Sequence, residues 1–127
     1  MKILIVDDFE IGRISVKNLL NELGFNNTIE VSNGYSAIAN LKSKIIDCVI
    51  TECDMSEMSG LELLKQIRKD KFLKNIPVFI VIENGLTDII VSASKAGASG
   101  FLFKPFNKDN LFKNLNEVLI QSKSKKN

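Results

Sequence analysis

Short apolar runs alternate with longer segments of helical spacing along this chain. The runs have the length and apolar character of buried strands, and they cover residues 3–6, 28–31, 48–51, 78–82 and 101–103. Between and after them, the apolar side chains recur as on one face of a helix, which predicts helices over 11–23, 34–44, 60–69, 86–96 and 108–122. The last helix has the clearest stripe, formed by Leu111, Leu115, Val118 and Leu119.

Strand and helix alternate five times, and the connections are short. Such repeats require right-handed crossovers, so the pattern predicts a parallel sheet with helices on both faces. At 127 residues and 45% hydrophobic, the chain can bury one sizeable core but not two. We therefore expect one α/β domain over residues 1–122, without an attached output domain, followed by a basic tail over 123–127.

Charge and cysteine content narrow the class of protein. The net charge is +2, and acids and bases are mixed along most of the chain, so we expect neither a nucleic-acid nor a membrane partner. The apolar run 3–6 is too short to span a bilayer, and a cytoplasmic location is the expectation. Cys48 and Cys53 lack C-x-x-C spacing and are expected to be reduced.

Charged side chains follow the predicted strands where a ligand site is expected. In open parallel sheets, ligands bind beyond the carboxyl ends of the strands, where the strand order reverses. Asp7 and Asp8 follow the first strand, Glu52 follows the third and Lys104 follows the fifth. Carboxylates are suitable ligands for Mg²⁺, and a lysine can balance the charge of a phosphoryl group. These residues outline a phosphoryl-accepting signalling site.

Several other chemistries are excluded by missing residues. The chain has no histidine, which removes Ser-His and Cys-His nucleophilic machinery and a role as a histidine phosphocarrier. It also lacks a G-x-x-x-x-G-K loop and a G-x-G-x-x-G turn after the first strand, so no nucleotide cradle is evident. We predict no enzymatic activity.

Nearly the whole chain resembles the receiver domain of two-component response regulators, and within that family the stand-alone chemotaxis receivers of CheY type. The resemblance rests on Val-Asp-Asp-Phe at 6–9, Asn-Leu-Leu at 18–20, Glu-Leu-Gly-Phe-Asn-Asn at 22–27, Met-Ser-Gly-Leu-Glu-Leu-Leu-Lys at 58–65, and Ala-Gly-Ala-Ser-Gly-Phe-Leu-Phe-Lys-Pro-Phe at 96–106. It implies a flavodoxin-like (CheY-like) doubly wound sheet of five parallel strands in the order 2-1-3-4-5, with five helices.

The resemblance also assigns roles to individual residues. It places Glu52 at the phosphoacceptor position, Lys104 at the site lysine, Ile82 at the sensing Ser/Thr position and Phe101 at the switch aromatic position. It implies a cis peptide bond between Lys104 and Pro105. A weak Mg²⁺ site would draw on the carboxylates of Asp7, Asp8, Glu52 and Asp54.

Two of these positions depart from the family pattern. The family has aspartate where this chain has Glu52, and the extra methylene would move a phosphoryl group by about 1.3 Å from the metal and the lysine. Ile82 has no donor for a phosphoryl oxygen, and Glu83 replaces a small residue at the entrance, where it would repel an anionic phosphodonor. These changes argue against ordinary phosphorylation.

The family's partner surface consists of the fourth helix, fifth strand and fifth helix. The matching positions are Thr87, Ile90, Phe101, Phe103 and Asn114, which form an apolar patch with a polar edge. For CheY-like proteins, the implied partners are a sensor histidine kinase, the flagellar motor switch or another signalling protein. The chain itself is expected to be a monomer or a weak dimer.

The sequence leaves several interpretations open. The leading one is an atypical receiver that binds a protein partner without phosphorylation. In the second, Glu52 reaches the place of the phosphoryl oxygens, pairs with Lys104 and mimics the active state permanently. A conventional Mg²⁺-dependent phospho-switch with an unusual acceptor is the third, and an unrecognised small-ligand or enzymatic role is the fourth. Glu52 and Lys104 could also form an ion pair that is purely structural.

Overall fold

The computed structural model describes residues 1–126, with the side chains of residues 1–118. Strands and helices alternate along the chain as the hydrophobic pattern predicts. The strands are β1 (Ile3–Val6), β2 (Thr28–Val31), β3 (Cys48–Glu52), β4 (Val78–Glu83) and β5 (Gly100–Lys104). The helices are α1 (Glu10–Glu22), α2 (Gly34–Ser43), α3 (Gly60–Lys69), α4 (Thr87–Lys95) and α5 (Lys108–Lys126).

The five strands form one parallel sheet in the order β2-β1-β3-β4-β5. This order confirms the predicted doubly wound fold. The strand order reverses between β1 and β3, so the acidic residues that follow these strands lie at the switch point.

The element boundaries differ from the prediction by a few residues. β3 and β4 each include the glutamate that follows the apolar run, because Glu52 pairs with Val81 and Glu83 pairs with Lys104 in the sheet register. α5 extends to Lys126, four residues beyond the predicted end, and includes most of the basic segment 123–127. Position 127 and the Leu119 side chain of the predicted stripe lie outside the described residues.

Two side-chain caps fix where helices on one face of the sheet begin. The Asn33 side chain accepts a hydrogen bond from the Ser36 backbone N–H (2.9 Å), which satisfies a free donor of α2. Ser59 accepts one from the Glu62 N–H (3.1 Å) in the same way at the start of α3. Ser59 thereby determines how the β3–α3 connection, which borders the site, enters α3.

The sheet buries a separate apolar core on each face. The α1/α5 core contains Ile3 and Ile5 of β1, Ile50 of β3, Val81 of β4 and Leu102 of β5, together with side chains from α1 and α5. The α2/α3/α4 core contains the alternate strand residues, among them Leu4, Val49 and Ile82. Strand residues therefore alternate between the two cores, as the period-2 geometry requires.

Within residues 1–126, none of the helices combines the length and the apolar character needed to cross a membrane. Cys48 and Cys53 are both unpaired and buried. Burial is the main cause that raises the pKa of each thiol, so neither favours the reactive thiolate form.

Candidate functional site

Four charged residues end or follow strands in the register that faces the α1/α5 side of the sheet. Each of them lies two residues after an apolar residue of the α1/α5 core. The pairs are Ile5 and Asp7, Ile50 and Glu52, Val81 and Glu83, and Leu102 and Lys104. Because strand side chains alternate with a period of two, the four charged residues share that face. The sheet therefore gathers three carboxylates and one ammonium at its carboxyl edge.

The closest contact within this group is the ion pair between Glu52 and Lys104. Lys104 Nζ lies 2.7 Å from Glu52 Oε2. The Glu52 side chain is 8% exposed and that of Lys104 is 42% exposed, so the buried carboxylate meets an ammonium that remains partly hydrated. Lys104 acts on the Glu52 carboxylate both by this short contact and by charge attraction.

The pKa values of both partners respond to this environment. Burial raises the pKa of Glu52, and although the Lys104 ammonium opposes that shift, it does not cancel it. Partial burial lowers the pKa of Lys104, but the Glu52 carboxylate, with help from Asp7 and Glu83, outweighs it, and the net direction is upward. The neighbouring carboxylates therefore favour the charged form of Lys104, whereas burial disfavours the charged form of Glu52.

Asp7 is held by the start of α1. Its Oδ1 accepts a hydrogen bond from the Phe9 backbone N–H (2.9 Å), and its backbone carbonyl accepts one from Arg13 Nη1 (2.7 Å). Gly12 makes room for the carboxylate, because a Cβ at that position would collide with Asp7 Oδ2. Asp7 is consequently 9% exposed and packed between β1 and α1.

Asp8 and Asp54 lie on the exposed side of the same edge. Asp8 Oδ2 accepts a hydrogen bond from the Ser56 backbone N–H (3.2 Å), which connects β1 to the β3–α3 connection. Asp54 is exposed. Sequence reasoning did not identify the Ser56 contact, because a backbone donor leaves no residue-type signal.

The structure does not gather the four predicted magnesium ligands, Asp7, Asp8, Glu52 and Asp54, into a metal-binding group. Across the described part of the chain, no three His, Cys, Asp or Glu side chains come together in a group able to hold a metal ion. Glu52 is engaged by Lys104, Asp7 by the start of α1 and Asp8 by Ser56. Mg²⁺ binding would therefore require these side chains to leave their present contacts, and the weak magnesium site stays a prediction.

Ile82 lies on the opposite face of the sheet from Glu52. It is 1% exposed and packs in the α2/α3/α4 core. Its side chain offers no hydrogen-bond donor, so nothing at position 82 can connect a group on Glu52 to the α4 side of the domain through a hydrogen bond.

The loop that follows β5 and the start of α3 shape the rest of the edge. The peptide bond between Lys104 and Pro105 is cis, as the resemblance implied. Gly60 begins α3 directly against the end of β3, where a Cβ would collide with the Glu52 carbonyl oxygen. Sequence reasoning identified Gly60 only as part of a motif, since its role depends on this approach between two backbones.

The five residues of the predicted partner surface lie on α4, β5 and α5, with different exposure. Thr87 and Phe103 are exposed, whereas Ile90, Phe101 and Asn114 are half-buried. The rings of Phe101 and Phe103 are stacked, with centroids 6.2 Å apart and planes 22° apart. Phe101 packs against the α2/α3/α4 core, so the aromatic pair connects that core with the surface.

Arg68 at the end of α3 is a structural residue that the sequence pattern did not reveal. Its Nε donates to the Gly97 carbonyl (3.0 Å), its Nη1 to the carbonyls of Lys74 (3.0 Å) and Ile76 (2.6 Å), and its Nη2 to Ser99 Oγ (3.4 Å). The guanidinium thus ties the α3–β4 connection to the α4–β5 connection.

Comparisons with known proteins agree with this geometry. Residues 3–116 match the response regulator receiver domain family. The chain is 44% identical to chemotaxis protein CheY-3 of Vibrio cholerae, over 93% of this chain and 91% of that protein. It is also 44% identical to chemotaxis protein CheY of Pseudomonas aeruginosa, over 84% of this chain and 86% of that protein.

Solved structures show the same fold. The chemotaxis response regulator CheY4 of Vibrio cholerae superposes with a TM-score of 0.83 at 29% identity, covering 92% of this chain and 97% of that one. The receiver domain of a sensor histidine kinase from Pseudomonas aeruginosa superposes with a TM-score of 0.82 at 22% identity, covering 91% and 94%. That second structure holds a magnesium ion coordinated in its active-site cleft.

Proposed function

The chain belongs to the response regulator receiver domain family, and we propose that it is an atypical CheY-type receiver that binds a protein partner without being phosphorylated. Receivers of this type are signalling modules of two-component and chemotaxis systems.

The observation that carries the proposal is the 2.7 Å ion pair between Glu52 and Lys104. A phosphoacceptor must present a free carboxylate oxygen in line with the phosphodonor, and the lysine must be free to balance the incoming charge. Here each group neutralises the other. The exposed Glu83 at the same edge adds a negative charge that an anionic phosphodonor would have to approach.

The packing of Ile82 supports the same conclusion. Response to a phosphoryl group would require a donor that reaches it from the end of β4, and Ile82 instead fills the α2/α3/α4 core. Even a group that reached Glu52 would therefore lack a hydrogen bond through position 82 to the α4 side. A partner surface that operates without this connection needs no phosphorylation.

We place the partner on the surface formed by Thr87, Ile90, Phe101, Phe103 and Asn114. The stacked Phe101 and Phe103 rings give it an apolar centre, and the exposed Thr87 gives it a polar edge, a composition suited to a helix or an extended peptide. A sensor histidine kinase and a flagellar motor switch protein are the proposed partners. The cytoplasmic location and the monomeric or weakly dimeric state stay predictions.

Phosphorylation is tested by intact-mass measurement after incubation with Mg²⁺ and acetyl phosphate. We expect no added phosphoryl mass on the wild-type chain. A variant with Glu52→Asp, Ile82→Thr and Glu83→Ala restores the acceptor, the hydroxyl and a small entrance residue, and we expect it to gain one phosphoryl mass. A gain on the wild-type chain would contradict the proposal.

The partner surface is tested by pull-down with Ile90→Asp and Phe101→Ala. Both variants change the proposed surface, and we expect each to weaken the capture of a histidine kinase or motor switch protein. Phe72→Ala is the control, because Phe72 is 87% exposed and lies in the α3–β4 connection, away from this surface. Unchanged capture by both surface variants would rule out this surface.

A second candidate function is the permanent mimic of the active state, which the Glu52–Lys104 contact also favours. In that case the Glu52 carboxylate holds Lys104 as a phosphoryl oxygen would. Glu52→Gln removes the charge and keeps the shape, so partner binding should fall if the mimic operates. Equal binding by the wild type and Glu52→Gln would leave the phosphorylation-independent module as the function.

A further inference from the structure

A cavity of about 710 Å³ opens beside the Glu52–Lys104 pair, on the α1/α5 side of the sheet. Its volume lies in the range of small-molecule sites, which are mostly apolar with a few converging polar groups. Apolar side chains from the sheet, from α1 and from the β5–α5 connection form its body: Ile5, Val16, Leu19, Ile50, Val81 and Phe106. Leu19 and Phe106 are the half-buried members of this set, so they offer the apolar surface that a small molecule could contact.

The mouth of this cavity carries the charged residues of the sheet edge. Three carboxylates, those of Asp7, Glu52 and Glu83, line it with a single ammonium, that of Lys104. The 2.7 Å contact pairs Lys104 with Glu52, and these two charges cancel. Asp7 and Glu83 form no ion pair among the described residues, so the mouth has a surplus of negative charge.

This surplus determines which ligand charge is favoured. An anion would have to take Lys104 away from Glu52 and then face two further carboxylates, which is unfavourable in a partly buried site. A cation would meet the exposed Glu83 carboxylate directly, with the largely buried Asp7 carboxylate adding to the attraction, and it could leave the Glu52–Lys104 pair intact. Asn84 at the mouth adds an amide oxygen that can accept a hydrogen bond from an ammonium group.

We propose that this cavity binds a small organic cation, with an ammonium group at the Glu83 carboxylate on the side that Asp7 also lines, and an apolar body against Leu19 and Phe106. The site is separate from the proposed partner surface, since none of Thr87, Ile90, Phe101, Phe103 and Asn114 lines the cavity. Failure of the ligand site would therefore leave the proposed protein-binding function untouched.

A second cavity, of about 740 Å³, opens on the other side of the same charged edge. Leu61, Ile82 and Ile89 line it, and it shares five residues with the first cavity: Asp7, Gly12, Glu52, Glu83 and Lys104. Charge alone cannot distinguish the two cavities, and the experiment must fill each of them separately.

The test is a titration of the full chain with three probes of similar shape, followed by amide NMR shifts. The probes are protonated 2-phenylethylamine, neutral 3-phenylpropan-1-ol and 3-phenylpropionate. We expect saturable binding of the amine about fivefold tighter than that of the alcohol, as for a partly screened charge contact. The phenylpropionate should bind more weakly than either. Amide shifts at Ser15, Leu19 and Phe106 would locate the binding in the proposed cavity.

Three variants separate the proposed site from its alternatives. Ser15→Phe places a ring over the α1/α5 cavity from an exposed position, so the fold should persist and amine binding should be lost. Leu61→Phe crowds the other cavity and should leave amine binding unchanged. Glu83→Gln should remove most of the preference for the amine and keep the affinity for the alcohol.

Three outcomes would overturn the proposal. These are no saturable binding of any probe, binding of 3-phenylpropionate at least as tight as that of the amine, and loss of binding in Leu61→Phe but not in Ser15→Phe.

Discussion

Lys104 Nζ lies 2.7 Å from Glu52 Oε2, and this contact joins the ends of β5 and β3 across the intervening strand β4. The Glu52 side chain is long enough to meet the Lys104 ammonium directly at the edge of the sheet. The carboxylate that ends β3 and the ammonium that ends β5 therefore neutralise each other in this structure.

Removal of the lysine charge should destabilise the domain modestly. In Lys104→Met the buried Glu52 carboxylate loses its partner, but the 42% exposure of Lys104 means that water already screens part of the interaction. We expect a loss of about 1–2 kcal/mol in the free energy of unfolding, measured by urea denaturation.

The double variant Lys104→Met, Glu52→Gln is the matched control for this prediction. It removes the carboxylate that the lysine substitution leaves unpaired, so it should regain much of the lost stability. The single variants are Lys104→Met and Glu52→Gln. If the double variant loses as much stability as the two single variants together, the ion pair contributes nothing.

The stability of the domain should depend on pH through Glu52. Because burial raises the pKa of Glu52 above its ordinary value of 4.5, the folded state binds this proton more tightly than the unfolded state. The Glu52 contribution is therefore full below pH 4.5 and is lost as the pH rises through the folded-state pKa. Relative to Glu52→Gln, the wild type should lose stability over this window, as measured by urea denaturation at a series of pH values.

Glu22→Gln is a suitable control for this pH series. Glu22 lies at the exposed end of α1 and makes no ion pair among the described residues. Its pH profile should follow that of the wild type. If the free energy of unfolding depends on pH in the same way in Glu52→Gln and in the wild type, Glu52 has the same pKa in the folded and unfolded states, and the prediction is wrong.

Magnesium should have little effect on the melting temperature of the wild-type chain. The Glu52 carboxylate is engaged by Lys104 and that of Asp8 by the Ser56 N–H, so a divalent ion would have to displace both contacts. At 10 mM Mg²⁺, we expect no measurable shift for the wild type. Lys104→Met leaves Glu52 and Asp7 without an internal cation, and its melting temperature should rise with Mg²⁺.

The control for the magnesium effect is Asp8→Ala. A Mg²⁺-dependent rise in the wild type that disappears in Asp8→Ala would show that the carboxylates rearrange around the ion. That result would contradict the prediction and support the weak magnesium site that the sequence suggests.

Arg68 should be one of the more important residues for stability outside the two cores. Arg68→Ala removes hydrogen bonds to Gly97, Lys74, Ile76 and Ser99, and it deprives the part-buried Ile76 carbonyl of the Arg68 donor. We expect a loss of about 2–4 kcal/mol in the free energy of unfolding. Lys65→Ala, at an exposed position of the same helix, should cost far less, and equal losses would show that the Arg68 contacts contribute little.

Much of the fold could be predicted from the sequence because it depends on local periodicity. Apolar runs such as 3–6 and 78–82 are too short for helices, and the segments between them repeat at helical spacing, so the parallel sheet with helices on both faces follows. The identity of the strands that end in charge also follows, since Asp7, Glu52 and Lys104 come directly after apolar runs. The resemblance supplied the strand order, which periodicity alone does not determine.

The contacts of the site could not be predicted in the same way. Whether Glu52 meets Lys104 or a metal depends on distances across three strands, and whether Asp7 is buried depends on the space that Gly12 leaves. Asp8 is held by a backbone N–H of Ser56, and Arg68 by acceptors up to 31 residues away. The sequence determined which charges reach the edge of the sheet, because strand period and strand ends are local properties. Only the tertiary structure decided which of these charges neutralise one another, because that depends on packing between segments distant in the chain.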